Sequence, residues 1–357
     1  MSYDFHHHHK LQNPKSFYAK KGLTGLVNIG NTCFLNSAIQ CLSHTLKLTD
    51  YFLSEKYIED NKGNINRKCS EWSFVKNYVL LLDALWEHNQ LLKPRSIREQ
   101  LIKYYPKYKS FDQQDSQECL LHILDILHKG LKYEIDVEIR GDVKTDLDKL
   151  YKEALESWKL FYENDYSYLV ELFHGQSYST ITCLNKQCDY KSNVFEPFST
   201  LNLPISRSDC LIEDCFKDYL SIDYIDNYQC SKCNDSKCSK QAQFWSLPNY
   251  LIVHLKRFDN NNNKIQSHVE FPIDNLDLTP FISKDKRDKN NYIYSLYAVT
   301  YHSGDTSNGH YWASCKNLDG NWYNFNDGNI TKYSKISKNT IVNNNAYILF
   351  YHRKFIE

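Results

Sequence analysis

The chain has 357 residues, 41% hydrophobic and 24% charged, with 43 acidic and 43 basic side chains. That composition permits a sizeable core and excludes wholesale disorder. A formal net charge of zero leaves no overall basic surplus for nucleic acid or an anionic membrane, and no apolar run nears the ~18 residues of a membrane span.

The first ten residues lack an apolar segment of the secretory kind, so a soluble intracellular protein, cytoplasmic and/or nuclear, is expected. Residues 1–20, with four histidines at 6–9, read as a disordered or tag-like tail. Beyond it, apolar residues recur at helical spacing from Cys33 through Phe34, Leu35, Ala38, Ile39 and Leu42. Further helices are predicted over 71–89, 95–105, 115–130 and 146–164. From about residue 166 the texture changes to short runs rich in β-branched and aromatic residues, at 177–183, 250–255, 295–301, 311–315 and 346–351. Helices first and strands later predict an α+β fold. The polar runs 259–263 and 284–291 read as exposed loops. In such a chain, twelve cysteines are reduced thiols, metal ligands or a nucleophile before they are a disulfide framework.

The most informative segment is Gly-Leu-Val-Asn-Ile-Gly-Asn-Thr-Cys-Phe-Leu-Asn-Ser, residues 25–37. Gly30 permits a turn, Asn31 or Thr32 can cap, and Cys33 falls at the start of an amphipathic helix. There the helix dipole favours the thiolate, which is the reacting species. Helix-start amides and the amide of Asn28 are placed to donate to a developing oxyanion. On local pattern alone a buried structural cysteine competes with this reading, and Cys41 fits that alternative well. A base is also required. His310 opens a strand after a polar, Gly309-containing loop, and a further strand from Trp322 ends in Asn326 and Asp327, either of which can accept an imidazole N–H.

A second cluster is metallic in pattern. Cys183 and Cys188, then Cys230 and Cys233, form two close pairs whose four thiolates suit one closed, structural zinc site. Cys238 is an alternative ligand.

Together these motifs resemble the catalytic domain of the ubiquitin-specific protease family of deubiquitinating enzymes, over about residues 21–352. The family's cysteine box is similar to residues 25–42 and its histidine box to 296–315, continuing into 322–328 and 346–351. Its Gln/Asp/Glu helix motif is similar to residues 111–121, and segments 172–176, 195–204 and 247–258 fill most of the rest. The resemblance implies a papain-like core. Its parts would be a mainly helical thumb (about 21–165), palm strands with a zinc-bearing finger region (166–260) and a palm with the histidine box (261–352). It implies thiol hydrolysis after the C-terminal glycine of ubiquitin, with Cys33 as nucleophile, His310 as general base, Asn326 as the orienting third member and Asn28 at the oxyanion. The expected partners are ubiquitin and ubiquitinated proteins, without nucleic acid or membrane, for a chain acting as a monomer. A catalytically weak ubiquitin-binding module and a protease for a ubiquitin-like modifier are the alternatives.

Asp115 followed by Glu118 is also a capping-box pattern. The resemblance instead sets both acids against ubiquitin's basic tail, with His302 and Tyr311 lining the same channel. The charged stretch 131–150 is an enlarged connection to which the resemblance assigns no role.

Overall fold

The computed structural model describes residues 22–62, 69–87, 91–226, 228–286, 291–305, 308–334 and 338–354. The predicted tail with its histidines lies outside them, as do residues 287–290 of the second polar run.

Helices occupy the first half: α1 (Cys33–Ser43), α2 (Leu46–Leu53), α3 (Lys56–Asp60), α4 (Trp72–Glu87), α5 (Arg95–Tyr104), α6 (Ser116–Leu131), α7 (Asp146–Tyr162) and the short α8 (Tyr168–Phe173). Every residue of α1 is buried, polar ones included, because the helix is inserted between the other helices and a sheet. Its polar side chains therefore bond inward; the Gln40 amide, for example, donates to the Thr24 carbonyl at 2.8 Å. Thr145 and Asp148 close a reciprocal capping box that starts α7, worth on the order of 1 kcal/mol. The charged connection before it, residues 134–145, forms no regular element.

The second half forms strands β1 (Gly175–Cys183), β2 (Lys191–Phe198), β3 (Thr200–Pro204) and β4 (Cys210–Leu211), then helix α9 (Ile212–Tyr219). Next come β5 (Asp223–Asp226), β6 (Lys237–Ser246), β7 (Tyr250–Lys256), β8 (Val269–Glu270), β9 (Leu276–Asp277), β10 (Ile293–Gly304), β11 (Gly309–Lys316), β12 (Trp322–Asn326) and β13 (Asn329–Lys332). Helix α10 (Lys338–Ile341) and strand β14 (Ala346–Arg353) complete the chain. The main sheet runs β13-β12-β11-β10-β14-β7-β3, antiparallel except for β3 beside β7, and β9 also pairs with β10. Nearly all of β10 is buried, so it reads as a continuous apolar run instead of alternating. The reason is that two cores flank the sheet: Tyr297, Ala298 and Ala313 pack with α1, while Leu296, Val299 and Tyr301 pack with the Phe216 side of α9.

A second, antiparallel sheet, β2-β1-β6-β5, projects from this body. Tyr178, Phe195 and Trp245 at its base pack against Leu150 and Ala154 of α7. At its far end Cys183 pairs in register with Cys238, and a small cluster of cysteines and tyrosines replaces a hydrocarbon core. Two layers of helix and sheet with a projecting ribbon make the α+β class plain. No helix among the described residues is long and apolar enough to cross a membrane.

Candidate active site

Cys33 is the first residue of α1 and is 1% exposed. The turn before it is built by its own side chains. The Asn28 carbonyl oxygen accepts from the amides of Gly30 (3.2 Å) and Thr32 (3.0 Å), and the Thr32 hydroxyl accepts from the Ile29 amide at 3.0 Å. Gly30 and Asn31 take positive φ, 106° and 53°, which suits a glycine and an asparagine. Thr32 occupies the N-cap position but spends its hydroxyl on the turn, so the amides at the head of α1 have no side-chain cap.

His310, the second residue of β11, stands beside this helix start. Its Nε2 lies 2.7 Å from Oδ1 of Asn326, the last residue of β12. Its pKa is raised to about 9, first by the neighbouring Cys33 thiol and then by the hydrogen bond with Asn326, against the opposing effect of burial. With Nε2 on the amide oxygen, Nδ1 is the nitrogen left for the sulfur, an assignment that rests on the ring's two-nitrogen geometry. Cys41, two turns further along α1, instead meets the Thr300 hydroxyl at 3.3 Å in the core.

Asp327 points elsewhere. The strand ends at Asn326, and Asp327 adopts φ of 51°, which turns its carboxylate away from the imidazole. It accepts from Nδ2 of Asn36 at 2.8 Å and Nδ2 of Asn28 at 3.1 Å, while its carbonyl accepts from the Leu26 amide at 3.0 Å. The aspartate therefore ties the cysteine turn to the end of the histidine hairpin.

A cleft of about 200 Å³ lies beside the site, lined by Asp115, Phe258, His302, Asp305, Tyr311 and the Gln113 that approaches the Cys33 sulfur. Asp115 caps α6: its Oδ1 accepts from the amides of Gln117 (2.6 Å) and Glu118 (3.2 Å), and its Oδ2 from the Tyr347 hydroxyl at 2.6 Å. Glu118 does not reach back to complete a capping box and pairs with Lys107 at the surface. Burial holds His302 well below its usual pKa, at about 4, so its ring is neutral. Gly309 is needed beside it, since a Cβ there would lie 2.3 Å from the His302 Nε2. In the loop before it, the positive φ belongs to Gly304, at 94°, and not to Gly309. Two residues missed in the sequence belong here. Gln113 brings Oε1 to 3.9 Å from the Cys33 sulfur, and Asn36 anchors Asp327. Gln113 lies within the recognised helix motif; for Asn36, its place three residues into an apolar helix was the available signal.

The second site is the sulfur cluster. The Sγ atoms of Cys183, Cys188, Cys230 and Cys233 all lie within 4.8 Å of one another. Two of the separations are 3.6 Å (Cys183–Cys233) and 3.8 Å (Cys188–Cys230). A tetrahedron with zinc–sulfur bonds of about 2.3 Å has edges of about 3.8 Å, so the donor set fits this ion in number, type and spacing. Cys238 is buried beside the cluster but is not one of the four.

A helix wedged into an antiparallel sheet, so that its first residue meets a histidine on the facing hairpin, is the papain-like arrangement, and it defines the fold class of this protein. The chain belongs to the ubiquitin carboxyl-terminal hydrolase family, whose profile matches residues 24–351. It is 34% identical over 346 residues to human ubiquitin carboxyl-terminal hydrolase 2, covering 93% of this chain and 55% of that one. With the chicken ubiquitin carboxyl-terminal hydrolase 2 it shares 35% over 353 residues, 95% of each. The chain thus spans about half the length of the human relative. Among solved structures, the SAGA Ubp8/Sgf11/Sus1/Sgf73 deubiquitinating module bound to ubiquitin aldehyde has a chain of the same fold. Its TM-score is 0.70 at 24% identity, over 95% of this chain and 71% of that one.

Proposed function

We propose that this protein is a thiol-dependent deubiquitinase that cleaves the isopeptide or peptide bond after the C-terminal glycine of ubiquitin. The observation that carries this reading is Cys33 at the head of α1 beside His310, whose Nε2 is fixed 2.7 Å from Oδ1 of Asn326. In this mechanism the Cys33 thiolate attacks the glycine carbonyl, and the negative charge moves to its oxygen. The Cys33 backbone amide and the Asn28 side chain donate to that oxygen. Asn28 has two amide hydrogens, so one can stay on Asp327 while the other turns to the oxyanion. Imidazolium then protonates the departing amine, leaving a thioester. His310 next takes a proton from water, which hydrolyses the thioester and restores the thiolate. Asn326 keeps the ring in plane throughout.

The cleft beside Asp115, His302 and Tyr311 is assigned to the extended, basic tail of ubiquitin. Oδ2 of Asp115, with one hydrogen bond in place, retains acceptor capacity for it. The wider cleft of about 490 Å³ between α7 and the projecting sheet, lined by Lys149, Glu153, Tyr178 and Asn193, suits the grip on ubiquitin's globular body. The helical half, the main sheet and the projecting ribbon would then serve as thumb, palm and fingers. Cys183, Cys188, Cys230 and Cys233 would hold one zinc ion, which supplies a crosslink and no open coordination position. A monomer in the cytoplasm or nucleus fits this reading. Incubation with ubiquitin bearing a C-terminal thiol-reactive group should give a covalent adduct through Cys33. Binding without an adduct would support a non-catalytic module, and preference for another modifier would shift the substrate class.

A further inference from the structure

Phe111 is 64% exposed beside the active site, yet it is firmly placed. Its carbonyl accepts from Nδ2 of Asn31 at 2.7 Å, so it is fastened to the turn that carries the nucleophile. Its ring lies against Gly30, where a Cβ would come within 2.4 Å of it. The Arg98 guanidinium sits 5.1 Å from the ring centroid while also donating to the carbonyls of Tyr108 (3.1 Å) and Ser110 (3.2 Å). An exposed aromatic side chain packed on two sides, with its backbone fastened as well, presents apolar surface at little further entropic cost.

Its position in the chain gives that surface a direction. The non-helical segment from Phe111 to Asp115 passes the nucleophile. Asp115 stands in the cleft assigned to the ubiquitin tail, Gln113 faces the Cys33 sulfur at 3.9 Å, and Phe111 lies outside that cleft's lining, at the Gly30 turn. An acyl chain entering along the cleft reaches the sulfur opposite Gln113, and the leaving side of the substrate continues toward Phe111, at most about 7 Å further on. We infer that Phe111 is a specificity-determining residue for the leaving group: it contacts the aliphatic stem of the acceptor lysine and favours isopeptide over peptide linkages. The aromatic face suits methylenes whose charged or reacting end points away. This inference rests on the deubiquitinase reading and adds the side of the substrate beyond the bond.

The test compares wild type, Phe111→Ala and Phe111→Leu on three reagents: ubiquitin linked to a peptide lysine, ubiquitin fused through a peptide bond to an N-terminal glycine, and ubiquitin propargylamide. Phe111→Ala is expected to lower kcat/KM on the isopeptide about fivefold to tenfold, the loss of one to two methylene contacts, with Phe111→Leu in between. Glycine-fusion cleavage and adduct formation should fall by less than about twofold, since neither presents a lysine stem. Equal losses on all three reagents, or no loss on the isopeptide, would overturn the role of Phe111. If wild-type enzyme forms no adduct and cleaves neither substrate, the deubiquitinase reading fails instead.

Discussion

Cysteine is used in opposite ways at the two ends of this molecule. Cys33 is a single thiol at an uncapped helix start, with an imidazole and backbone amides around it. Cys183, Cys188, Cys230 and Cys233 have chiefly one another for neighbours, at the tip of a projecting ribbon where hydrocarbon packing is thin. The same side chain is thus set for chemistry where a base and donors surround it, and for crosslinking where four converge. In the proposed reading, reactivity at one site and inertness at the other would come from the company each thiol keeps, because coordination to zinc draws electron density from a thiolate and lowers its nucleophilicity.

The comparison breaks most visibly at Cys33. Cys33→Ala should lower turnover by at least about 10⁴-fold while ubiquitin affinity stays near wild type, measured by single-turnover assay and calorimetry. Normal turnover in Cys33→Ala with loss in Cys41→Ala would reverse the assignment. At the ribbon, Cys230→Ser or chelation should cost on the order of several kcal/mol of stability and release about one zinc per chain, read by thermal melts and elemental analysis. The protein that remains folded should keep its proton-transfer chemistry. A metal-free preparation of full stability would refute the zinc site, and retention of the ion without Cys233 would bring in Cys238.

The next effect separates Asn326 from Asp327. With its folded pKa raised to about 9, His310 contributes stability that is complete below about 6.5 and lost as pH rises through about 9. The imidazolium is lost over the same range, so kcat/KM should fall on a basic limb near 9. Asn326→Ala removes a hydrogen bond that favours the cation and should shift that limb to lower pH, with kcat reduced roughly 10- to 100-fold. Asp327→Asn should move the limb less, since the Asp327 charge is a weaker influence on the His310 pKa than the Asn326 hydrogen bond. Its cost should be non-additive with Asn28→Ala, because the carboxylate acts on the Asn28 amide. If Asp327→Asn moves the pH limb and Asn326→Ala does not, the two roles are exchanged. The smallest effect is expected at Glu118, where an exposed pair with Lys107 makes Glu118→Gln worth under about 0.5 kcal/mol in chemical denaturation. A large rise in KM at unchanged stability would place Glu118 on the ubiquitin tail after all.

Sequence by itself determined the broad layout, because its signals are local. Helical periodicity after Cys33 and the apolar runs at 295–301 and 346–351 reappear as α1, β10 and β14, since each needs only its own pattern to declare what it buries. The cysteine pairs were equally legible as a spacing. Strands β2 and β6 were not, because much of the projecting sheet is polar and half-exposed and carries no apolar alternation. The direction of Asp327 was also beyond reach. Alternation along a regular strand sets neighbouring residues on opposite faces, but only the tertiary structure shows the strand stopping at Asn326. There a left-handed residue aims the carboxylate at Asn28 and Asn36, some 299 and 291 positions earlier in the chain. Such pairings depend on how α1 seats against the hairpin, and no periodicity encodes that. Asp115 shows the same division: its capping pattern was visible locally, whereas the Tyr347 hydroxyl on its other oxygen is brought there by the fold, 232 residues away.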